Sequence, residues 1–124
     1  MANVLLIEDD PDIQFNLRLL LEGEGYSVIS ASDGEEGLEA LAPSRPPIDV
    51  VLLDLMMPRL NGEQFLQRLH RSGELQSRPV ILLSASRDAG ALARRFGVDL
   101  VTKPIDIERL LSLLARHCPF NAGW

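Results

Sequence analysis

The sequence predicts an α/β fold in which a five-stranded parallel sheet carries helices on both faces. Three observations predict it: five short apolar runs, a segment of helical periodicity after each run, and polar residues where several runs end. Regular alternation of strands and helices is typical of a parallel sheet with right-handed crossovers. With 124 residues, the chain fits one domain that can bury a hydrophobic core.

The predicted strands are short runs rich in Val, Ile and Leu, and none is long enough for a typical helix. Several of them are apolar throughout, as expected for strands that are covered on both faces of a sheet. We expect the strand order 2-1-3-4-5, which is common among doubly wound α/β folds. The predicted strands span residues 4–7, 27–31, 50–53, 80–83 and 99–102.

Five helices are predicted from apolar residues three or four positions apart and from the residues that cap helix ends. In the first helix Ile13, Leu17 and Leu21 share one face, and the glycines at 23 and 25 are expected to end it. The predicted N-terminal caps are, in chain order, Asp10 before Pro11, a capping box at Ser32-Asp33-Gly34-Glu35, Asn61, Ser86 or Asp88, and Asp106.

Composition and charge exclude several classes of function. The 18 acidic residues outnumber the 12 basic ones, and the formal charge of −6 argues against nonspecific binding to DNA or RNA. No apolar run approaches the length that spans a bilayer. The single cysteine, Cys118, cannot form an intramolecular disulfide, and the first residues lack the charged start of a signal peptide. We therefore expect a cytoplasmic protein without nucleic-acid or membrane partners.

Charged and hydroxyl side chains follow four of the predicted strands. Glu8 and Asp9 follow the first strand and Asp54 follows the third, while Ser84 and Lys103 stand at the ends of the fourth and fifth. In an open α/β sheet, ligands bind at the carboxyl ends of the strands, where the strand order reverses. The three carboxylates carry −3 when ionised and the lysine returns +1. The remaining −2 matches the charge of Mg²⁺, which prefers oxygen ligands.

A carboxylate in a magnesium site can attack a phosphoryl donor and form an acyl phosphate. The metal, the lysine and the hydroxyl would spread the charge that develops on the transferring oxygens. The pattern therefore favours a site for phosphoryl transfer.

Five segments together carry a resemblance to a known family. In chain order they read VLLIEDDPDI, ASDGEEGLEAL, DVVLLDLMMPRLNGEQFL, PVILLSA and LVTKPI. In order and spacing they resemble the receiver domain of two-component response regulators, of the chemotaxis-regulator type, over about residues 3–117. The resemblance implies a flavodoxin-like receiver fold, with the receiver domain over residues 1–118 and a C-terminal tail over 119–124.

The resemblance also implies a role for each residue of the site. Asp54 resembles the phosphoacceptor, Ser84 the switch hydroxyl that meets the phosphoryl group, and Lys103 the lysine that pairs with that group. The implied cofactor is Mg²⁺, and its implied ligands are Asp9 and Asp54 directly, Glu8 mainly through water, and Met56 through its backbone carbonyl.

Residues around the site match the family as well. Pro104 follows the lysine, where the family often has a cis peptide bond, and Pro58 and Gly62 match the loop after the acceptor. The implied phosphodonor is a sensor histidine kinase, a phosphotransfer protein or a small molecule. The implied output is contact with a downstream protein, which the sequence does not identify. Catalysis would be limited to the domain's own phosphorylation and slow dephosphorylation, since Met56 and Ser86 are poorly suited to orient water.

Two departures from the family bear on output. Leu100 stands where the family often has Tyr or Phe, a ring that swings inward on activation. The separation between Ser84 and Lys103, 103 − 84 = 19 positions, is a few residues short, and the deficit falls around the fourth predicted helix. Both departures favour a weakened relay.

Three alternatives stay open. A haloacid-dehalogenase phosphatase would need a second acid at the position of Met56. A flavodoxin-like cofactor binder would place phosphate against the first acidic loop, which would repel it. A receiver-like interaction domain that has lost phosphorylation-dependent switching fits Leu100 but not the complete set of acids, hydroxyl and lysine.

Overall fold

The computed structural model describes residues 2–56 and 60–118. Within them, five strands and six helices alternate along the chain, in the order β1 (Asn3–Ile7), α1 (Pro11–Gly23), β2 (Ser27–Ala31), α2 (Gly34–Ala40), β3 (Val50–Asp54), α3 (Gly62–Ser72), α4 (Glu74–Ser77), β4 (Val80–Ser84), α5 (Ala89–Phe96), β5 (Asp99–Thr102) and α6 (Ile107–His117). Pro58 and the predicted tail 119–124 lie outside the described residues.

The strands form one parallel sheet in the order β2-β1-β3-β4-β5, which confirms the predicted topology. Three strand boundaries differ from the sequence prediction, and one of them is the start of β1, at Asn3 instead of Val4. Asp54 and Ser84 are the last residues of β3 and β4, because their backbones continue the ladder opposite Leu83 and Thr102. The two side chains are therefore held by regular sheet rather than by loops.

Each face of the sheet has its own hydrophobic core, because successive strand residues point to opposite faces. On one face Leu6, Leu52 and Leu83 pack in a cluster with residues of α1 and α6. On the other face Leu5, Leu53 and Leu82 pack with residues of α2, α3 and α5. All six leucines are fully buried. Strands covered on both faces explain why the apolar runs are nearly continuous.

Side-chain caps begin three helices where the sequence predicted them. Asp10 accepts hydrogen bonds from the backbone N–H groups of residues 12 and 13 in α1, and Asp106 accepts one from residue 109 in α6. Asn61 and Gln64 form a reciprocal capping box at the start of α3. These caps satisfy donors that the first helical turn leaves without partners.

Three local predictions need correction. The capping box predicted at 32–35 is shifted by one residue: Asp33 accepts from the Glu36 N–H, and the Glu36 carboxylate accepts from the Ser32 N–H. Asp88 is the residue before α5, but its side chain makes no cap hydrogen bond. The short helix α4 was not predicted, since its four residues show no apolar periodicity and none is buried.

None of the described helices is both long enough and apolar enough to cross a bilayer.

The loop after β3 passes unusually close to the start of α3 at Gly62. The Gly62 N–H donates to the Leu55 carbonyl at 3.1 Å. A Cβ atom at this position would lie 2.6 Å from the Leu55 Cα and 2.9 Å from the Asp54 carbonyl oxygen. Since both are backbone atoms, a side chain here would have to displace the segment that carries Asp54.

We expect Gly62→Ala to destabilise the protein by about 1 to 3 kcal/mol, because the backbone must move to admit the methyl group. Gly23→Ala is the matched control, since a Cβ atom there has no heavy-atom neighbour within 4 Å. The control should be neutral or stabilising by up to about 1 kcal/mol. Urea unfolding of both variants measures the difference, and equal stability of the two would contradict the steric account.

Candidate functional site at the carboxyl ends of the strands

Four strands deliver polar side chains to the same edge of the sheet. Glu8 follows β1 directly, Asp54 ends β3, Ser84 ends β4 and Lys103 follows β5. Carboxylate oxygens of Glu8, Asp9 and Asp54 all lie within 4.8 Å of one another. The structure therefore brings Asp54 next to the adjacent pair Glu8 and Asp9, which lie far from it in the sequence.

Lys103 contacts two of these acids at once. Its Nζ lies 3.4 Å from Glu8 Oε1 and 3.4 Å from Asp54 Oδ1. Glu8 is only 1% exposed and Asp54 only 3% exposed. Low solvent access strengthens interactions between charges. The Lys103 ammonium therefore offsets part of the negative charge of the neighbouring carboxylates.

Glu8 is the most tightly held of the acids. Its Oε2 accepts a hydrogen bond from the Asp10 N–H at 3.2 Å, and its other carboxylate oxygen faces Lys103. Burial, reinforced by a hydrogen bond to Asp54 and by the negative charge there, raises the pKa of Glu8 from an ordinary 4.5 to about 7. The metal-free cluster thus carries more negative charge than the lysine alone can stabilise.

The pKa of Lys103 is raised as well, which for an ammonium favours the charged form. Burial lowers the pKa of its ammonium, but the charges of Asp54 and Glu8 more than offset burial, and the pKa lies above its ordinary value. The lysine is therefore a permanent cation next to Asp54. The Lys103–Pro104 peptide bond is cis, as the resemblance implied.

The remaining predicted site residues stand beside the acids. The Met56 N–H donates to Asp54 Oδ1 at 3.3 Å, while the Met56 side chain is 73% exposed. Ser84 is buried, and its Oγ accepts from the Ser86 N–H at 3.0 Å. The Lys103 N–H donates to the Ser84 carbonyl at 2.9 Å, which ties the hydroxyl-bearing and lysine-bearing strand ends together.

Gln14 contributes to the site but was not singled out in the sequence. Its side-chain amide donates to the carbonyls of Glu8 at 2.9 Å and Ala31 at 3.2 Å. The only signal in the sequence is an amide side chain in the first turns of the helix that follows the acids. That signal says nothing about which carbonyls the amide meets.

A cleft of about 390 Å³ opens between α3 and α5, close to the residues that follow Asp54. Leu55, Met56 and Ser86 line its inner side, and Arg95 lines its rim. The Arg95 guanidinium lies 3.9 Å from the Glu63 carboxylate across the cleft, with both side chains largely exposed. This ion pair therefore stands at a solvent-exposed edge of the cleft.

This arrangement of strand ends, acids and lysine agrees with comparison to known proteins. The family model described as the response regulator receiver domain matches residues 4–115. This chain belongs to that family. It is thus a receiver domain of the kind used in two-component signalling, which argues against the phosphatase and cofactor-binding alternatives.

Relatives of known sequence include both short and long proteins. Protein PilH of Pseudomonas aeruginosa is 37% identical over 117 residues, which cover 92% of this chain and 95% of PilH. The DNA-binding dual master transcriptional regulator RpaA of Synechocystis is 37% identical over 115 residues, covering 90% of this chain but 47% of RpaA. The receiver domain therefore spans nearly all of one relative and about half of the other.

Solved structures show the same fold. The receiver domain of the Francisella response regulator 1452 has a TM-score of 0.84 and 30% identity, covering 94% of this chain and 96% of that chain. The Vibrio cholerae chemotaxis protein CheY4 has a TM-score of 0.80 and 28% identity, covering 94% and 98%. These likenesses support a chemotaxis-regulator-like receiver domain.

The acidic cluster could hold a divalent cation. Its ligand atoms are carboxylate oxygens of Glu8, Asp9 and Asp54, and Asp9 is exposed and so accessible to a hydrated ion. Mg²⁺ is bound through one or two carboxylates while keeping several waters. Such an ion would neutralise negative charge on carboxylates that lie close together and, at Glu8 and Asp54, are buried.

The raised pKa of Glu8 predicts how the metal-free receiver domain depends on pH. Between pH 4.5 and about 7 the folded protein keeps a proton that the unfolded chain has lost, so the free energy of unfolding falls as pH rises through this window. We expect Glu8→Gln to remove this loss and to stabilise the metal-free protein at pH 8 by about 1 kcal/mol or more.

Thermal unfolding in a chelator at pH 5 and pH 8 measures the effect. Glu39→Gln is the matched control, because Glu39 is an exposed glutamate on α2. The stabilisation by Glu8→Gln should be larger at pH 8 than at pH 5, and the control should show no such difference. A Glu8→Gln variant that is less stable than the wild type at pH 8 would show that the carboxylate is not destabilising.

Proposed function

We propose that this receiver domain accepts a phosphoryl group on Asp54, with Mg²⁺ bound by Glu8, Asp9, Asp54 and the backbone carbonyl of Met56. The observation that carries the proposal is the buried Asp54 carboxylate, held by the Lys103 ammonium at 3.4 Å and close to two further acids. A carboxylate that only ended a strand would be more stable exposed to water than buried beside two further acids.

Bond formation and cleavage are simple in this proposal. An Asp54 carboxylate oxygen forms a bond to the phosphorus of the donor, and the bond from phosphorus to the donor's leaving atom breaks, releasing acetate from acetyl phosphate or an imidazole from phosphohistidine. Mg²⁺ would neutralise charge on the phosphoryl oxygens. Lys103 supplies a fixed positive charge beside the acceptor, and the Ser84 hydroxyl can donate to a phosphoryl oxygen.

The donor that we propose is a sensor histidine kinase or a phosphotransfer protein, with small phosphodonors as substitutes. The signal then passes to a downstream protein through protein–protein contact. We further propose that residues 1–118 form the receiver unit, because α6 ends at His117 and Cys118 caps it. In this proposal the domain catalyses only its own phosphorylation and slow dephosphorylation.

Asp54→Asn tests the acceptor, because it removes the nucleophile and keeps the shape. With acetyl phosphate and Mg²⁺, we expect intact-mass spectrometry to find one phosphoryl group on the wild type and none on Asp54→Asn. Asp88→Asn is the matched control: Asp88 is exposed, lies near the site and makes no cap hydrogen bond. An Asp54→Asn protein that gains the same label would disprove the assignment.

The same label reports on the lifetime of the acyl phosphate. Met56 has no hydrogen-bond donor in its side chain, and the Ser86 hydroxyl already accepts from the Asp88 N–H at 3.2 Å. Neither side chain is well placed to orient an attacking water. After donor is removed, the label on the wild type should therefore outlast a timescale of seconds.

The alternative function is a receiver domain whose switching is weakened, and Leu100 is the observation that favours it. Leu100 lies in β5, pairs with Leu82 and packs partly buried against the core on the α5 side. Its carbonyl accepts a hydrogen bond from the Arg109 guanidinium of α6 at 3.1 Å. On activation, a leucine held in this way would change less of its contact surface than a mobile aromatic ring would.

We expect the amide NMR shifts caused by beryllofluoride and Mg²⁺ to concentrate around Asp54, residues 84–86 and Lys103, and to fade toward residues 110–114 of α6. The physical reason is that coupling cannot exceed the difference in contacts between the two states. Shifts of equal size along the whole of α6, or a monomer-to-dimer change on activation, would show that the relay works without the aromatic ring.

A further inference from the structure

Gln14 holds both ends of the segment that carries the first two acids. Its side-chain amide donates to the Glu8 carbonyl at 2.9 Å, and its backbone N–H donates to the Asp10 carbonyl at 2.9 Å. The Glu8 N–H donates to the Ala31 carbonyl at 3.0 Å, and the same carbonyl accepts from the Gln14 amide at 3.2 Å. Gln14 and the Ala31 carbonyl at the end of β2 thus hold the backbone of residues 8–10 in place.

The chemistry of the contact fixes the orientation of the amide. Both partners are backbone carbonyls, which only accept, so the NH₂ group must face them and each of its two N–H bonds has an acceptor. Gln14 is half-buried, so loss of its amide would take a donor from the Glu8 carbonyl where water has limited access, while the Ala31 carbonyl would keep the Glu8 N–H.

The peptide that Gln14 holds lies directly between the two acids. Its carbonyl belongs to Glu8 and its N–H belongs to Asp9, so this contact sets the direction in which both side chains leave the backbone. The Glu8 carboxylate has further partners in Lys103 and the Asp10 N–H. Asp9 is exposed, so packing does little to restrict where its carboxylate lies.

We propose that Gln14 is a positioning residue for the cation site, because its two hydrogen bonds aim the Glu8 and Asp9 carboxylates at Asp54. The inference rests on the proposed function, since it assigns Gln14 to the proposed Mg²⁺ site. Partners that orient metal ligands typically contribute 10-fold to 100-fold to metal affinity. Gln14 acts on affinity through the backbone and does not touch the reacting atoms.

Gln14→Met tests the inference, because methionine has similar length and no charge but donates no hydrogen bond. Gln67→Met on α3 is the matched control, since the Gln67 amide lies 3.5 Å from the exposed Glu63 carboxylate and away from the acids. The readout is the Mg²⁺ dissociation constant, measured from the amide NMR shifts of residues 9 and 54. We expect Gln14→Met to raise that constant by about tenfold or more and Gln67→Met to leave it unchanged.

A second readout separates positioning from general stability. At saturating Mg²⁺, Gln14→Met should be phosphorylated by acetyl phosphate at close to the wild-type rate, because excess cation restores occupancy. Gln14→Asn keeps the amide but shortens its reach, and it should also weaken Mg²⁺ binding; it replaces the methionine variant if that variant does not fold.

The outcomes distinguish the inference from the proposed function. A wild type that shows no saturable Mg²⁺ binding would overturn the proposed metal site and the inference together. A wild type that binds Mg²⁺ and a folded Gln14 variant that binds it equally well would overturn only the inference. A variant with lower thermal stability but an unchanged dissociation constant would likewise reduce Gln14 to a structural role.

Discussion

The feature on which the rest of this receiver domain depends is the crowding of three carboxylates against one ammonium at the carboxyl edge of the sheet. Glu8, Asp9 and Asp54 lie within 4.8 Å of one another, and Lys103 reaches two of them. Such charge is costly in a poorly solvated place unless it is paired. The raised pKa of Glu8, caused mainly by burial and reinforced by Asp54, reflects that cost, and the negative charge of the cluster supports the proposed binding of a cation.

The sheet tolerates this cost because its two hydrophobic cores fix the strand ends. Asp54 and Ser84 each close a strand whose residues are all buried, so neither can move away from its neighbours without breaking the ladder. Gly62 lets the next helix approach the backbone of Asp54 and Leu55 closely. The stability provided by the two hydrophobic cores thus offsets the cost of holding these charges at the strand ends, as is common in active sites.

The β5 edge of the sheet is held by contacts of another kind. The Arg109 guanidinium donates to the carbonyl of Leu100, and the His117 ring nitrogen lies 2.8 Å from the Asp99 carboxylate. Two residues of α6 therefore tie that helix to the edge strand β5 next to the position where an aromatic residue is common in the family. Helix α5 is only eight residues long, which agrees with the short spacing in the sequence. These contacts and the short helix support the proposed alternative of a receiver domain with weakened switching.

The sequence by itself determined the alternation of strands and helices, the sheet order, the caps at Asp10, Asn61 and Asp106, and the identity of the polar residues at the strand ends. The sheet order was expected because it is common among doubly wound folds. The other features depend on short-range periodicity and on side chains that bond their own helix, so a local pattern is enough to predict them. Only the tertiary structure decided that the Gln14 amide meets two strand-end carbonyls and that Lys103 bridges Glu8 and Asp54. Apart from the contact between Gln14 and Glu8, six positions away, those contacts join residues 17 to 95 positions apart, and strand register with helix packing, rather than any local signal, sets their distances.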